Sequence, residues 1–470
     1  RQRRMADVAF TPNDKLAKIA VGIVFVLVCS GLGYREYKRV GNTWQHNVNS
    51  VISAEEDAAL AVDPFHVIFS TDCSSYQHWQ SYLVYYSAYQ VRQPGHVTRI
   101  ASGCNEEETA AIQEWFEKHV QPMSTRFHLT LTPKFSSVKN QTTGEEVGDY
   151  KFFNKPLGLK YWLENSAYFH LTSQQDDIVI LIDPDMVLMR QITSDFGNEQ
   201  ETVISKKRKE NILATRVQHG IPFAQAYGLG VQWESFDLDK IAGPDSPAKL
   251  VTKEDGRLYY PVGPPYIATA RDIYAIAQKW TEFVPHVHAQ YPHLLAEMYA
   301  YCIAAAHLGL RHQIIDSLMV SDTGVQEGEG WDLVDSIPAE KTCDFAAHPQ
   351  HDIYPVPSVV HMCHRYCVGE DWFFGKHRVP HDVYDCEKPL FVEPPSNVAT
   401  MHDFRKPPNQ KERQELSKKM IAREAFVVCF LTSLLNEAAA FYKKGACPAG
   451  TANLEKTLKM TDLFSAKERQ

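Results

Sequence analysis

This chain has no surplus of basic charge. Its 48 lysines and arginines face 57 aspartates and glutamates, and the net charge of −9 argues against a broad nucleic-acid-binding surface. It also has no internal repeat and no long low-complexity tract, so neither a repeat array nor a disordered tail organises it. Wholesale disorder is excluded too. With 44% apolar and 11% aromatic residues, 470 residues can bury one large core or two smaller ones. A local basic cluster, Lys206-Lys207-Arg208-Lys209, reads as a solvated loop inside the folded region rather than as a nuclear signal.

Long uncharged runs are equally scarce. Ile19 to Tyr34 (IAVGIVFVLVCSGLGY) carries no charge, is flanked by Lys15, Lys18 and Arg35, and reads as a membrane anchor slightly short of the usual span of about 20 residues. A cleaved signal peptide is the alternative, with small residues at Ser30-Gly31. More basic residues precede the run than closely follow it, so residues 1–18 are expected to be a cytosolic tail and the bulk to be lumenal. Residues 35–61 are polar and read as a stem. The second apolar stretch, Phe426 to Leu435 within the helical pattern Lys411 to Lys444, is too short to span a membrane. Pro394-Pro395 and Pro407-Pro408 set residues 396–470 apart as a helical extension from the folded part, 62–395.

Nine of the ten cysteines follow the anchor, which fits a compartment that permits disulfides; Cys73 with Cys104 is the first pairing expected, and an odd count leaves at least one thiol unpaired. Asn140-Gln141-Thr142 is a glycosylation sequon if its stretch is lumenal.

The folded part alternates strands and helices. His66 to Ser70 reads as a buried strand, Tyr76 to Tyr89 as a helix, and Gln93-Pro94-Gly95 as a turn, the opening of an α/β unit. Arg271 to Phe283 and Leu294 to Leu308 are further helices. The run Ile178-Val179-Ile180-Leu181-Ile182 is a central buried strand, and at its end stands Asp183-Pro184-Asp185. Residues two apart on a strand share a face, so both carboxylates can meet one hard cation. Such a pair suits an enzyme of sugar nucleotides, in which a cation neutralises charge on a departing UDP. Ordinary turn chemistry is the plainer explanation of two acidic residues around a proline.

Other residues join the same argument. His361, after the short strand Ser358-Val359-Val360, is a candidate third ligand, or a packed histidine. His361, Cys363, His364 and Cys367 raise a zinc site, although their spacing matches no established ligand pattern. Glu297, in an otherwise apolar helix, is a candidate buried carboxylate toward substrate hydroxyls and the catalytic candidate here. Lys155 and Arg99 are candidate diphosphate contacts, and Phe69 with Ser70 candidate contacts to a uracil and its ribose. Asp183-Pro184-Asp185-Met186-Val187 also matches the D-x-D-x-[TV] signature of haloacid-dehalogenase-type phosphatases, in which Asp183 would be the nucleophile and Asp185 the acid/base. More than a hundred residues and a strand precede it, which is unusual for that motif. A membrane-anchored lumenal binding protein without catalysis is the third reading.

Seven stretches in order resemble plant and algal hydroxyproline O-arabinosyltransferases and the related peptidyl serine α-galactosyltransferases. They are FHVIFSTDCSSYQHWQ (65–80), QPGHVTRI (93–100), FNKPLGLKYWL (153–163), IVILIDPDMVL (178–188), PFAQAYGLG (222–230), LLAEMYAYCIAAAHLGLRH (294–312) and VVHMCHRYCVGEDWFFGKHRV (359–379). The resemblance implies an α/β GT-A-like nucleotide-sugar-binding fold with a central mixed sheet flanked by helices. It implies a divalent cation such as manganese, a UDP-sugar donor of arabinose or galactose, and transfer with retention to hydroxyproline or serine of secretory-pathway glycoproteins. It further implies a single-pass type II protein of the Golgi or endoplasmic reticulum membrane. Carried over by position, Asp183, Asp185 and His361 become the metal ligands, and Arg99, Lys155, Gln225 and Glu297 donor- or acceptor-site residues. His361-Met362-Cys363 stands where the arabinosyltransferases are expected to have His-Tyr-Gly, and Thr202 to Asn211 looks like an insertion; both bear on sugar and acceptor identity.

Overall fold

The computed structural model describes residues 52–139, 142–197, 209–405 and 414–463. The expected anchor and tail, the sequon asparagine and the basic run from Lys206 to Arg208 lie outside the described residues.

Residues from Ala54 onward form one unit. Its principal elements are α1 (Ala54–Ala61), β1 (Phe65–Thr71), α2 (Ser75–Gln90), β2 (His96–Ser102), α3 (Glu106–His119), β3 (Phe127–Thr132), α4 (Asn154–Asn165), β4 (Ile178–Ile182) and β5 (Met186–Leu188). Then come β6 (Phe223–Ala226), β7 (Val262–Thr269), α5 (Ala270–Gln290), α6 (Ala296–His307), β8 (Gln313–Ile315), β9 (Met319–Val320), β10 (Val359–His361), β11 (Tyr366–Val368), β12 (Trp372–Phe374) and α7 (Lys418–Ala446).

Seven strands make the central sheet, in the order β8-β6-β7-β4-β1-β2-β3. All neighbours pair parallel except at β7, which runs against both β4 and β6, so the sheet is mixed. β4 is apolar at all five positions because both its faces are covered, the pattern of a central strand in an α/β sheet. Ile68, Ile100, Val179 and Leu181 turn to one face, where α4, α5 and α6 build the largest apolar core around Trp162, Trp280 and Tyr301. Phe69, one position out of phase, turns to the other face against Tyr85 of α2. α4 lies close on the sheet because Gly158 has no side chain: a Cβ there would stand 3.0 Å from Ile100. Gly95 enters β2 at φ +75°, where a Cβ would strike the Phe65 carbonyl, so the turn after α2 admits glycine alone.

Residues 54–61, polar enough to read as stem, are helical and tied to the unit. Asp57 is buried and accepts from Ser124, Thr125 and the Arg126 guanidinium (2.9 Å). α7 is likewise drawn in. Its residues Tyr442 and Phe441 pack on Tyr82 and Tyr86 of α2, and disulfides Cys343–Cys429 and Cys386–Cys447 fasten it to the preceding segments. The expected Cys73–Cys104 disulfide is formed and joins the ends of β1 and β2. Cys302, Cys363 and Cys367 are free thiols.

Candidate metal centre

β4 ends at Ile182, and the chain turns at once: the Met186 amide donates to the Asp183 carbonyl over 3.0 Å. Strand alternation is therefore not what brings Asp183 and Asp185 together, contrary to the expectation from the sequence; a tight turn around Pro184 does so. Immediately beyond it β5 pairs antiparallel with β10, placing His361 opposite Met186, and the Met362 amide donates to the Asp185 carbonyl at 2.9 Å. That register sets the His361 Nε2 3.3 Å from Asp185 Oδ1. One ligand atom from each of Asp183, Asp185 and His361 then lies within 4.8 Å of the others. Two hard carboxylate oxygens and an imidazole nitrogen are a donor set that fits a divalent cation.

Two lysines neutralise the carboxylates. Lys155, in the first turn of α4, lies 2.7 Å from Asp183 Oδ1 and 2.6 Å from Glu297 Oε1, the latter in the first turn of α6. Burial alone would depress the ammonium, but these two carboxylates hold it well above its ordinary value. Burial raises the Glu297 carboxyl, opposed by Lys155, and Glu297 Oε2 is buried without a hydrogen-bond partner. Lys376, just after β12, pairs with Asp185. Burial works against ionisation of Asp185, yet His361 and Lys376 together hold it far below the usual carboxylate range. His361 is the reciprocal case: burial lowers it, and Asp185 more than restores it. The other ring nitrogen of His361, Nδ1, is 3.3 Å from the Tyr227 hydroxyl, which leaves Nε2 to the carboxylate side.

A cleft of about 610 Å³ opens beside His361, with Tyr227, Asp322, Glu329, Cys363 and His364 on its wall. Cys363 is exposed there. Although part of the residue reaches solvent, protein crowds its sulfur and pushes the thiol up, and hydrogen bonds from His361 and His364 outweigh this and bring it down to about 6. Cys367 stands apart in β11, its amide donating to Glu424 and its carbonyl accepting from Arg405. Among the described residues no second group of histidine, cysteine and acidic side chains gathers as a metal site would require.

A peptidyl serine alpha-galactosyltransferase of Arabidopsis thaliana is similar to this chain. The two are 25% identical over 359 residues, 73% of this chain, and the chain covers 35% of that protein's length. No family model matches the chain. The relationship to a glycosyltransferase is distant, and the stretch it covers is long.

Of the residues singled out beforehand, Asp183, Asp185, His361, Lys155 and Glu297 converge. Four others do not join them. Phe69 is fully buried in the sheet against Tyr85, a core position with no face for a base. Ser70 lies half-buried near the end of β1. Arg99 is buried, donating to the Thr71 hydroxyl and the Asp72 carbonyl at the end of β1, with Trp115 against its guanidinium. Gln225 spends its amide on backbone, donating to the carbonyls of Asp316 and Gly328 and accepting from the Met319 amide, so it shapes the cleft wall. Lys376 and Tyr227 were missed. Both fall in stretches of the family resemblance, but nothing local marks a lysine after an aromatic hairpin as the partner of an aspartate far away in the chain.

Proposed function

We propose that this protein is a metal-dependent glycosyltransferase that moves a sugar, arabinose or galactose, from a UDP-sugar to hydroxyproline or serine of secretory-pathway glycoproteins, with retention of configuration. One observation carries the reading: Asp183, Asp185 and His361 meet at the carboxyl end of a central strand, the edge at which open α/β sheets collect their ligands. The Arabidopsis relative is named for transfer of galactose to peptidyl serine, and the mixed sheet flanked by helices is compatible with a GT-A-like fold. Three disulfides support a lumenal setting, and a Golgi or endoplasmic reticulum membrane protein of type II topology accords with the apolar run near Ile19.

A divalent cation such as manganese, bound by Asp183, Asp185 and His361, would supply positive charge to the leaving diphosphate. The chain's own groups prepare that place. Tyr227 orients the His361 ring, Lys155 fixes Asp183 against α4, and the buried pair Lys155–Glu297 keeps a polar edge in an otherwise apolar wall. The cleft beyond His361 has room for a sugar and the acceptor side chain that receives it.

The test is incubation of the full chain with a panel of UDP-sugars, manganese, and peptides rich in hydroxyproline or serine, with Asp185→Asn alongside. UDP release is expected to require metal and to fall at least about a hundredfold in the variant. Equal turnover in the variant rules out the metal role. Phosphate release from simple phosphoesters would instead indicate the phosphatase chemistry of an aspartyl nucleophile, and metal-dependent binding of UDP-sugars without turnover a binding protein.

A further inference from the structure

The central sheet has two edges, and the fold covers only one of them. β8, at one end, is buried at all three positions. β3, at the other, is buried only at Phe127 and Thr132, and its four middle residues are half-buried. β2 uses one side of β3: the amides of Val97 and Gly103 donate to the carbonyls of Arg126 and Thr132, each over 3.0 Å. In a parallel pair the N–H and C=O of one residue point the same way and the direction alternates along the strand. The even-numbered residues of β3 therefore face β2, and Leu129 and Leu131 present their backbone outward. Among the described residues neither meets a backbone partner on that side. The usual protections of an edge are missing as well, since His128-Leu129-Thr130-Leu131 has no lysine, no proline and no bulge.

Beside this edge lies a groove of about 290 Å³, three strands away from β4 and its acidic pair. Leu129 and Leu131 are its floor, and its wall is α3 with the residue just past it, through Gln113, Phe116, Glu117 and Gln121, which share one helix face. Charge selects the occupant. α3 carries Glu106, Glu107, Glu108, Glu114 and Glu117 against Lys118 and His119, and the exposed Glu117 forms no ion pair among the described residues. Lys134, two residues past β3, is already paired with Glu146 and Asp149 (3.6 and 3.8 Å). A second copy joined antiparallel along β3 would set two such acidic rims side by side on one face of the joined sheet, a like-charge contact that opposes pairing. A run of proline or hydroxyproline has no amide hydrogen to give to the outward carbonyls. We propose that the β3 edge is a docking site for an extended, proline-poor, basic segment of another protein, which adds to the sheet as an eighth strand. Its backbone pairs with Leu129 and Leu131; on the side of α3 an apolar side chain enters the groove, and an arginine or lysine lays its stem over Phe116 and its charge against Glu117. This surface is separate from the metal centre and does not depend on the sugar-transfer reading.

The test uses the full chain and the peptide acetyl-Thr-Arg-Thr-Val-Thr-Arg-Thr-amide, with hydrogen exchange read by mass spectrometry and affinity by titration calorimetry. The peptide is expected to slow exchange in residues 127–132 and not in α5. Two further peptides carry N-methyl groups on alternate residues, one on arginine and valine, the other on the inner threonines. Strand addition requires that one of them lose about tenfold or more in affinity while the other keeps most of it. Glu117→Lys should weaken the parent peptide about fivefold and strengthen a version with glutamate in place of arginine, and Glu117→Gln should fall between. A melting curve for each variant checks that this exposed position leaves the fold intact. Absence of protection in 127–132, equal affinity of the two methylated peptides, or indifference of both charge versions to Glu117→Lys overturns the proposal. Protection of 127–132 that rises with protein concentration and without peptide, together with a dimer in sedimentation, overturns it in favour of a second copy.

Discussion

Lys155 shows how one side chain can decide the condition of a whole centre. Its ammonium is the partner of both Asp183, which is partly buried, and Glu297, which is buried. Removing one member of a buried ion cluster leaves charge without compensation, typically a loss of about 3–5 kcal/mol. Lys155→Met is therefore expected to lower stability by roughly that amount in urea unfolding, and the double variant Lys155→Met/Glu297→Met to recover a substantial part, since the stranded carboxylate is gone. No recovery would show that the lysine acts through packing and not through charge. Sequence reasoning reached both residues singly, Lys155 as a phosphate contact and Glu297 as a substrate carboxylate. Their pairing was beyond it, because the first turns of α4 and α6 are brought together only by packing on the sheet.

At the scale of elements, α7 is the instructive case. Its apolar core, Phe426 to Leu435, was expected to be too short to span a membrane; the helix of 29 residues is long and apolar enough by length and composition, yet 78% of its most apolar 18-residue window is buried inside the protein. Its polar residues explain why. Arg423, 1% exposed, donates to Asp335 (2.8 and 2.6 Å) and to the carbonyls of Thr323 and Val325, with Trp331 against its guanidinium. Glu424 accepts from Thr323 and the Cys367 amide, and Asn436 exchanges two hydrogen bonds with Phe391. These contacts hold the segment that bears Asp322 and Glu329 on the cleft wall, so α7 supports the cleft from behind. Arg423→Met should cost about 3–5 kcal/mol in global stability. It should also speed amide hydrogen exchange in residues 321–330 beyond that seen in α5; uniform exchange in both would deny α7 its supporting role. The sequence pattern placed a helix over Lys411 to Lys444; the helix begins only at Lys418, capped by Ser417, with Gln414–Glu415 paired as a short strand before it, and an apolar run does not state whether lipid or protein covers it.

For the whole molecule, buried histidines set an acid limit. His312 is fully buried and hydrogen-bonded to the Tyr301 hydroxyl, and burial brings its imidazole down to about 3. His128 also lies at about 3, depressed by burial and then by His96 and His66 beside it. In the unfolded chain each takes up a proton near 6.5. Between these values the unfolded state binds more protons, so the stability these two groups contribute is complete above about pH 6.5 and is lost as pH falls toward 3. From pH 7 to 5 the loss should be about 2 kcal/mol per histidine, read as a lower urea midpoint. His128→Gln should remove its share of the slope; a profile unchanged by that substitution would contradict the assignment.

The amino-acid sequence by itself determined the local order. The run Ile178 to Ile182 reads as a buried strand and the aromatic spacing of Tyr76 to Tyr89 as a helix, and both are so; the acidic pair was placed at the strand's end, though by alternation and not by the turn that sets it. These are properties of a few neighbouring residues. Which distant groups share one place was decided by tertiary structure alone. The antiparallel pairing of β5 with β10 brings His361 to Asp185, the hairpin β11–β12 delivers Lys376, and the packing of α4 and α6 joins Lys155 to Glu297. The reason is that register and packing depend on every layer of the core at once, whereas periodicity is written residue by residue.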